Sequence, residues 1–165
     1  MLIYLLRHAV AVQKGEAAYP NDDRPLTEEG VEKMSKSAKG IARVVEEIDV
    51  ILTSPLSRSA QSAKIAAKAL GAESKLQVCR ELTPGNSTKN LLSYLAKYKK
   101  LQSIMLVGHE QDISSLIVSL LGTTSTILHL KKGALCCIEV PTISSQRHGS
   151  LLWLLTSKQL RLIGH

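Results

Sequence analysis

Four short runs of almost uninterrupted apolar residues constrain this chain more than any other feature. They occupy positions 2–6, 50–53, 76–79 and 104–107, and polar, Pro- or Gly-containing stretches follow them. Runs of this length suit strands buried on both faces, the habit of a parallel sheet. Amphipathic segments lie between them. Thr27 is placed to cap a helix, with Glu28 and Glu29 in its first turn. Val31, Met34, Ala38, Ile41, Ala42 and Val45 then recur at three- and four-residue spacing. Gly30 and Gly40 weaken that helix slightly. Residues 57–70 are Ala-rich and helical, with Gly71 as the stop. Helices are also predicted over 87–98 and over 113–121, the latter ended by Gly122. Strand–helix alternation through the first 120 residues predicts a parallel, helix-covered sheet. Two further strands, about 135–140 and 151–156, are separated only by a Ser-rich, hairpin-like loop over 141–150, so an antiparallel edge is expected. The expectation is a single α/β domain over residues 1–165: a three-layer α/β/α sandwich with a mostly parallel sheet.

Composition narrows the function. With one Trp, four Tyr and no Phe, the core must be built from Leu, Ile, Val and Ala. The same scarcity argues against an RNA-stacking module, which needs exposed rings. The three cysteines, Cys79, Cys136 and Cys137, form no disulfide framework and read as small buried hydrophobes. Neighbours in a strand point to opposite faces, so Cys136 and Cys137 are poor partners for each other. The net charge of +7 suits an anionic substrate or acidic partner as well as nucleic acid, and most lysines lie at helical spacing, as on a solvated face. No apolar run approaches the roughly 18 residues of a membrane span. The apolar start of the chain lacks the basic leader of a signal peptide, and a cytoplasmic protein is expected.

In open α/β sheets, ligands bind beyond the carboxyl ends of the strands. Arg7 and His8 follow the first apolar run. Ser54 follows the second, with Arg58 four residues on. Glu81 follows the third, and Gly108 and His109 follow the fourth. Two guanidiniums offer planar forks for phosphate oxygens, two imidazoles offer a donor or a nucleophile, and a carboxylate can move a proton. The set suits a phosphoryl group with one histidine attacking phosphorus. His109-Glu110-Gln111-Asp112 is no zinc motif, no carboxylate cluster suits magnesium, and no nucleotide phosphate loop is present, so neither metal nor cofactor is expected.

These segments resemble a known family. Leu6-Arg7-His8-Ala9 resembles the Arg-His-Gly signature of the histidine phosphatase, or phosphoglycerate-mutase-like, superfamily. Ser54-Pro55-Leu56-Ser57-Arg58-Ser59-Ala60-Gln61-Ser62-Ala63 is similar to its Ser-Pro-x-x-Arg-x-x-Gln-Thr-Ala segment, and Val107-Gly108-His109 to its second histidine. Arg24-Pro25-Leu26-Thr27-Glu28-Glu29-Gly30 resembles its Leu-Thr-x-x-Gly helix start. Glu81-Leu82-Thr83-Pro84 resembles the Glu-Leu-x-Pro segment of the SixA-type phosphohistidine phosphatases. The resemblance implies a phosphoglycerate-mutase-like fold, His8 as a transiently phosphorylated nucleophile, and Arg7, Arg58 and His109 as the phosphate pocket. It brings Arg24 to that pocket from the following loop, and gives Ser54 an orienting role toward His8 or Arg58.

Two departures stand out. Ala9 replaces the signature glycine. The interval between the second helix and Glu81 is too short for the inserted segment that supplies an acid in larger members. Glu81 is the nearby candidate acid in sequence, with a structural pairing to Arg80 or another arginine as its alternative role. A phosphohistidine expels imidazole, whose pKa is roughly 6.5 when free, so it needs less acid help than an alkoxide. The implied activity is dephosphorylation of phosphohistidine in a partner protein, such as a histidine phosphotransfer domain, with a small-molecule phosphomonoesterase or mutase as the alternative. A non-catalytic basic binding scaffold is the reading outside enzymes. Neither nucleic acid nor a membrane is an expected partner.

Overall fold

The computed structural model describes residues 1–125, 128–141, 143 and 148–165. Six strands form one sheet: β1 (Leu2–Arg7), β2 (Val50–Thr53), β3 (Leu76–Val78), β4 (Ser103–Gly108), β5 (Leu135–Glu139) and β6 (Ser150–Leu155). Their order is β3-β2-β4-β1-β5-β6. The first four in that order run parallel, and β5 and β6 complete an antiparallel edge. The helices are α1 (Glu28–Val44), α2 (Ser57–Ala69), α3 (Thr88–Leu95), α4 (Glu110–Leu121) and α5 (Ser157–Ile163). The expected three-layer sandwich is what forms.

Strand alternation divides the core in two. Ile3, Leu5, Val50, Leu52, Ile104 and Leu106 face α3 and α4. Tyr4, Leu6, Ile51, Met105 and Val107 face α1, α2 and α5. Cys136 and Cys137 fall on opposite faces, as the pleat requires. Burying aliphatic side chains on both faces is the main stabilising term, about 1.5–3 kcal/mol for each fully buried Leu, Ile or Val.

The α1 segment forms as its sequence dictates. Thr27 Oγ1 accepts the Gly30 amide at 3.0 Å, and Lys33–Glu29 and Lys36–Glu32 pair one turn apart on the solvated face. Gly30 and Gly40 are more than weak points. A Cβ at Gly30 would lie 2.0 Å from the Val10 carbonyl oxygen, and one at Gly40 would lie 1.9 Å from that of Leu160. Both glycines allow backbone to pass against the helix, one at the segment after β1 and one at α5.

Two expected helices have different bounds. The predicted 87–98 helix is α3 followed by a 3-10 turn at Ala96–Tyr98, and α4 begins at Glu110 rather than 113. Helix α5 was not anticipated. Of the expected loop over 141–150, positions 142 and 144–147 lie outside the described residues. Among the described residues no helix is long and apolar enough to cross a membrane.

Candidate active site

Sheet register builds the site. Arg7 pairs with Gly108 across β1 and β4, and Thr53 pairs with Val107 across β2 and β4. His8, His109 and Ser54 each come next in their chains, so all three leave the same end of the sheet at one level. The connection from β1 passes over one face through α1 toward β2. The connection from β4 passes over the other face through α4 toward β5. The crevice between β1 and β4 is thus the place where strand order reverses, and there the helices diverge.

His8 is buried, and its ring stands 5.3 Å from that of His109 at 61°. His8 Nδ1 lies 2.7 Å from the Ala9 carbonyl oxygen. A carbonyl only accepts, so Nδ1 carries the proton and Nε2 keeps its lone pair. Burial drives the His8 pKa down to about 4. The Ala9 bond opposes that shift, and the charges of Arg58, Arg7 and Lys132 reinforce it. The ring is therefore neutral near pH 7 and has the tautomer of a nucleophile. Ala9 is absent from the positions with left-handed backbone, so its methyl group is tolerated where the family signature has glycine. Its amide donates to Ser62 Oγ at 3.1 Å.

His109 is held from the other side. Its Nε2 lies 3.0 Å from Ser54 Oγ and 3.4 Å from Ser59 Oγ. Ser54 Oγ also accepts the Leu56 amide at 3.4 Å, and its own hydrogen can point to His109 Nε2. With Ser54 donating, the His109 proton sits on Nδ1. Burial, then the charge of Arg58, lowers this ring's pKa to about 3. Ser54 thus orients His109, not His8 or Arg58.

The guanidiniums are fixed by backbone. Arg7 Nη1 donates to the Leu130 carbonyl at 2.6 Å, and Arg58 Nη1 to the Asp22 carbonyl at 2.6 Å. Asp22 adopts a left-handed φ of 57°, a conformation Asp tolerates better than most residues. Its carboxylate joins Arg58 Nη2 at 3.2 Å to Arg24 Nε at 2.6 Å. Arg24 also donates to the Val12 carbonyl, so the loop after β1 holds Arg24 next to Arg58 through a shared carboxylate. Asp23 accepts the Ser57 amide at 2.6 Å, at the start of α2.

Four buried side-chain polar atoms have no hydrogen-bond partner among the described residues. Three are Arg7 Nε, Arg58 Nε and His109 Nδ1; the fourth is Asp112 Oδ2. The first three are donors from the same strand-end cluster. Buried donors are normally paired, so three in one crevice fit an anion with several acceptor oxygens.

A family model, the histidine phosphatase superfamily (branch 1), matches residues 3–83. An uncharacterised protein of Picosynechococcus is 32% identical over 162 residues, 95% of this chain and 96% of that one. The chain belongs to the histidine phosphatase superfamily. Its fold is that of the protein histidine phosphatase SixA solved with tungstate, with a TM-score of 0.83, 21% identity, and 97% and 99% of the two chains covered. It also resembles a mycobacterial glucosyl-3-phosphoglycerate phosphatase, with a TM-score of 0.72, 14% identity, and 94% and 99% covered.

Glu81 stands apart from the other expected superfamily residues. It lies in a 3-10 turn, Arg80–Leu82, and accepts a hydrogen bond from Cys79 Sγ at 3.4 Å. Among the described residues it bonds neither histidine and forms no ion pair with Arg80 or another arginine. Burial and this carboxylate push the Cys79 thiol up to about 11, so it is no nucleophile. Sequence reasoning missed two acidic residues. Asp22 is one. The other is Glu110, whose charge acts on Arg7 and whose Oε1 lies 3.0 Å from both Ser114 Oγ and His129 Nδ1. The adjacency of Glu110 to His109 was visible; the reach of Asp22 from a loop was not.

Proposed function

We propose that this protein is a phosphatase that takes the phosphoryl group from phosphohistidine in a partner protein, by way of a phosphorylated His8. One observation carries the reading. A neutral imidazole with its Nδ1 committed to Ala9 shares a buried crevice with Arg7 Nε, Arg58 Nε and His109 Nδ1, three nitrogens that no group among the described residues satisfies. The similarity to a SixA solved with tungstate, itself a tetrahedral oxyanion, supports it.

In the first step the Nε2 lone pair of His8 forms a bond to phosphorus. The phosphorus–nitrogen bond of the substrate breaks, and its electron pair leaves with the substrate imidazole. The positive charge gained by His8 is stabilised through Nδ1–H and the Ala9 carbonyl. Arg7, Arg58 and His109 Nδ1–H hold the phosphoryl oxygens, donors fixed before charge develops. In the second step water attacks phosphorus, the bond to Nε2 breaks and its electron pair returns to His8. The water protons leave with phosphate and solvent.

The choice of phosphohistidine rests on the leaving group. A departing imidazole that already holds a proton on its other nitrogen leaves neutral, whereas an alkoxide needs an acid. Between α2 and Glu81 the chain forms only a 3-10 turn and the three-residue β3, and Glu81 is bonded to Cys79. A crevice without an inserted helical cover also suits a protein surface, such as a histidine phosphotransfer domain in the cytoplasm. A small-molecule phosphatase is the second reading, favoured by the likeness to the glucosyl-3-phosphoglycerate enzyme. Comparing a phosphohistidine peptide with phosphoserine and phosphoglycerate decides between them. We expect turnover of the phosphohistidine peptide and near inertness of the alkyl esters, with Glu81→Gln nearly neutral on the former. Efficient alkyl-ester hydrolysis, lost in Glu81→Gln, would establish the second reading instead.

A further inference from the structure

Beside the segment carrying His8 lies a cavity lined by a different kind of cation. This cavity, of about 370 Å³, is lined by Ala9 and Val10, Lys33 of α1, Lys131 and Lys132 before β5, and the start of α5 with Lys158 and Arg161. No Asp or Glu lines it. Lys33 has an ion-pair partner, Glu29, on its own helix. Among the described residues Lys131, Lys132, Lys158 and Arg161 have none, and Arg161 Nη1 bonds only the Ser157 hydroxyl at 2.8 Å. Four cations around one space repel each other, and no ion pair among the described residues offsets that repulsion.

The place of the cavity ties it to the crevice. Ala9 is the residue after His8 and lines both, and Lys132 is close enough for its charge to act on the His8 ring. An anion held here would therefore belong to the substrate that presents its phosphoryl group to His8. The kind of anion follows from the donors. The crevice uses arginines fixed by backbone and a buried imidazole. The cavity uses exposed lysines, which are mobile point charges without a fork matched to phosphate, and an arginine partly committed to Ser157. Mobile charges spread over two segments suit several carboxylates that shift as they bind, rather than one fixed tetrahedral group. They also act at range, by steering.

We infer that this cavity is a docking subsite for acidic side chains flanking the phosphohistidine of the protein substrate, with Lys131, Lys132, Lys158 and Arg161 as its charges. The inference rests on the phosphohistidine reading above and gives that substrate a chemistry: Asp or Glu within a few residues, or on the adjoining surface, of the modified histidine.

Two synthetic phosphohistidine peptides test it, one with three Glu beside the phosphohistidine and one with Gln at the same positions. At low salt the wild-type protein should favour the Glu peptide in kcat/KM by roughly tenfold, the lower end of steering effects. That ratio should decline toward one as the Debye length falls from roughly 30 to 8 Å. In Lys131→Glu/Lys158→Glu the ratio should fall to one or invert at low salt. Both substituted residues are exposed, and an unchanged Tm verifies the fold. Equal rates on the two peptides in the wild-type protein would overturn the docking inference and leave the phosphohistidine reading intact. A double variant that slows both peptides equally would also overturn it, by assigning these charges to the phosphoryl group. Hydrolysis of neither peptide, with alkyl phosphates turned over, would overturn the underlying reading itself.

Discussion

Two sets of cations flank the segment that carries His8 and Ala9, and they are built in opposite ways. Arg7 and Arg58 are withdrawn from solvent and held by the Leu130 and Asp22 carbonyls, each with Nε left unpaired. Lys131, Lys132 and Lys158 are exposed, line an open cavity and make no ion pair among the described residues. Both sets are positive, but solvent screens one and not the other. A desolvated, preorganised donor acts strongly at one point, whereas a solvated charge acts weakly over a distance. On the function and docking subsite proposed above, the first set serves the chemistry of the phosphoryl group and the second the attraction of whatever carries it. Net charge alone, which merges the two sets, conveys neither role.

The contrast breaks first at His8. His8→Asn retains a polar side chain but not a nucleophilic lone pair, and turnover of a phosphohistidine peptide should fall to background while thermal unfolding shows an intact fold. Activity within tenfold of the wild-type protein would remove His8 as the nucleophile. Arg58→Ala comes next. Removing one preorganised donor costs on the order of 3–4 kcal/mol, a rate loss of roughly 10²–10³-fold, and raising salt should change that factor little. A loss that disappears in high salt would place Arg58 with the exposed set.

The smallest effect is on stability against pH. An unfolded histidine titrates near 6.5, but burial holds His8 neutral to about 4 and His109 to about 3. Between pH 6.5 and 4 the unfolded chain thus binds protons that the folded chain refuses. Stability should fall as pH drops through that interval. Denaturant unfolding at pH 7, 5.5 and 4.5 should show a shallower decline in His8→Asn than in the wild-type protein. Equal slopes would mean that the folded His8 is no harder to protonate than the unfolded one.

Much of this was legible in the chain. Apolar runs marked the strands, and the residue after each run marked the crevice, because a parallel sheet gathers its carboxyl ends on one side. His8, His109, Ser54 and Arg58 were found that way. Contacts that cross between distant segments were not legible. Asp22 holds Arg24 and Arg58 together from an irregular loop, through a backbone conformation that no hydrophobic pattern encodes. Gly30 and Gly40 looked like weak helix formers until their neighbours' carbonyls were in view. Helix α5 spans seven residues and buries only Leu160, too little for a periodic signal. Its capping box, Thr156 with Gln159, was the clue available in sequence. Without α5 the lysine cavity has no far wall, so its charges read as scattered surface.

The proposed reaction passes phosphorus through His8. The direct measurement is to mix the protein with a radiolabelled phosphohistidine peptide, quench in alkali within a turnover, and map the labelled residue by digestion. One phosphoryl group is expected, stable in alkali and released in acid, on the peptide that contains His8. Turnover with no labelled protein at any time, or a label on another residue, would contradict it.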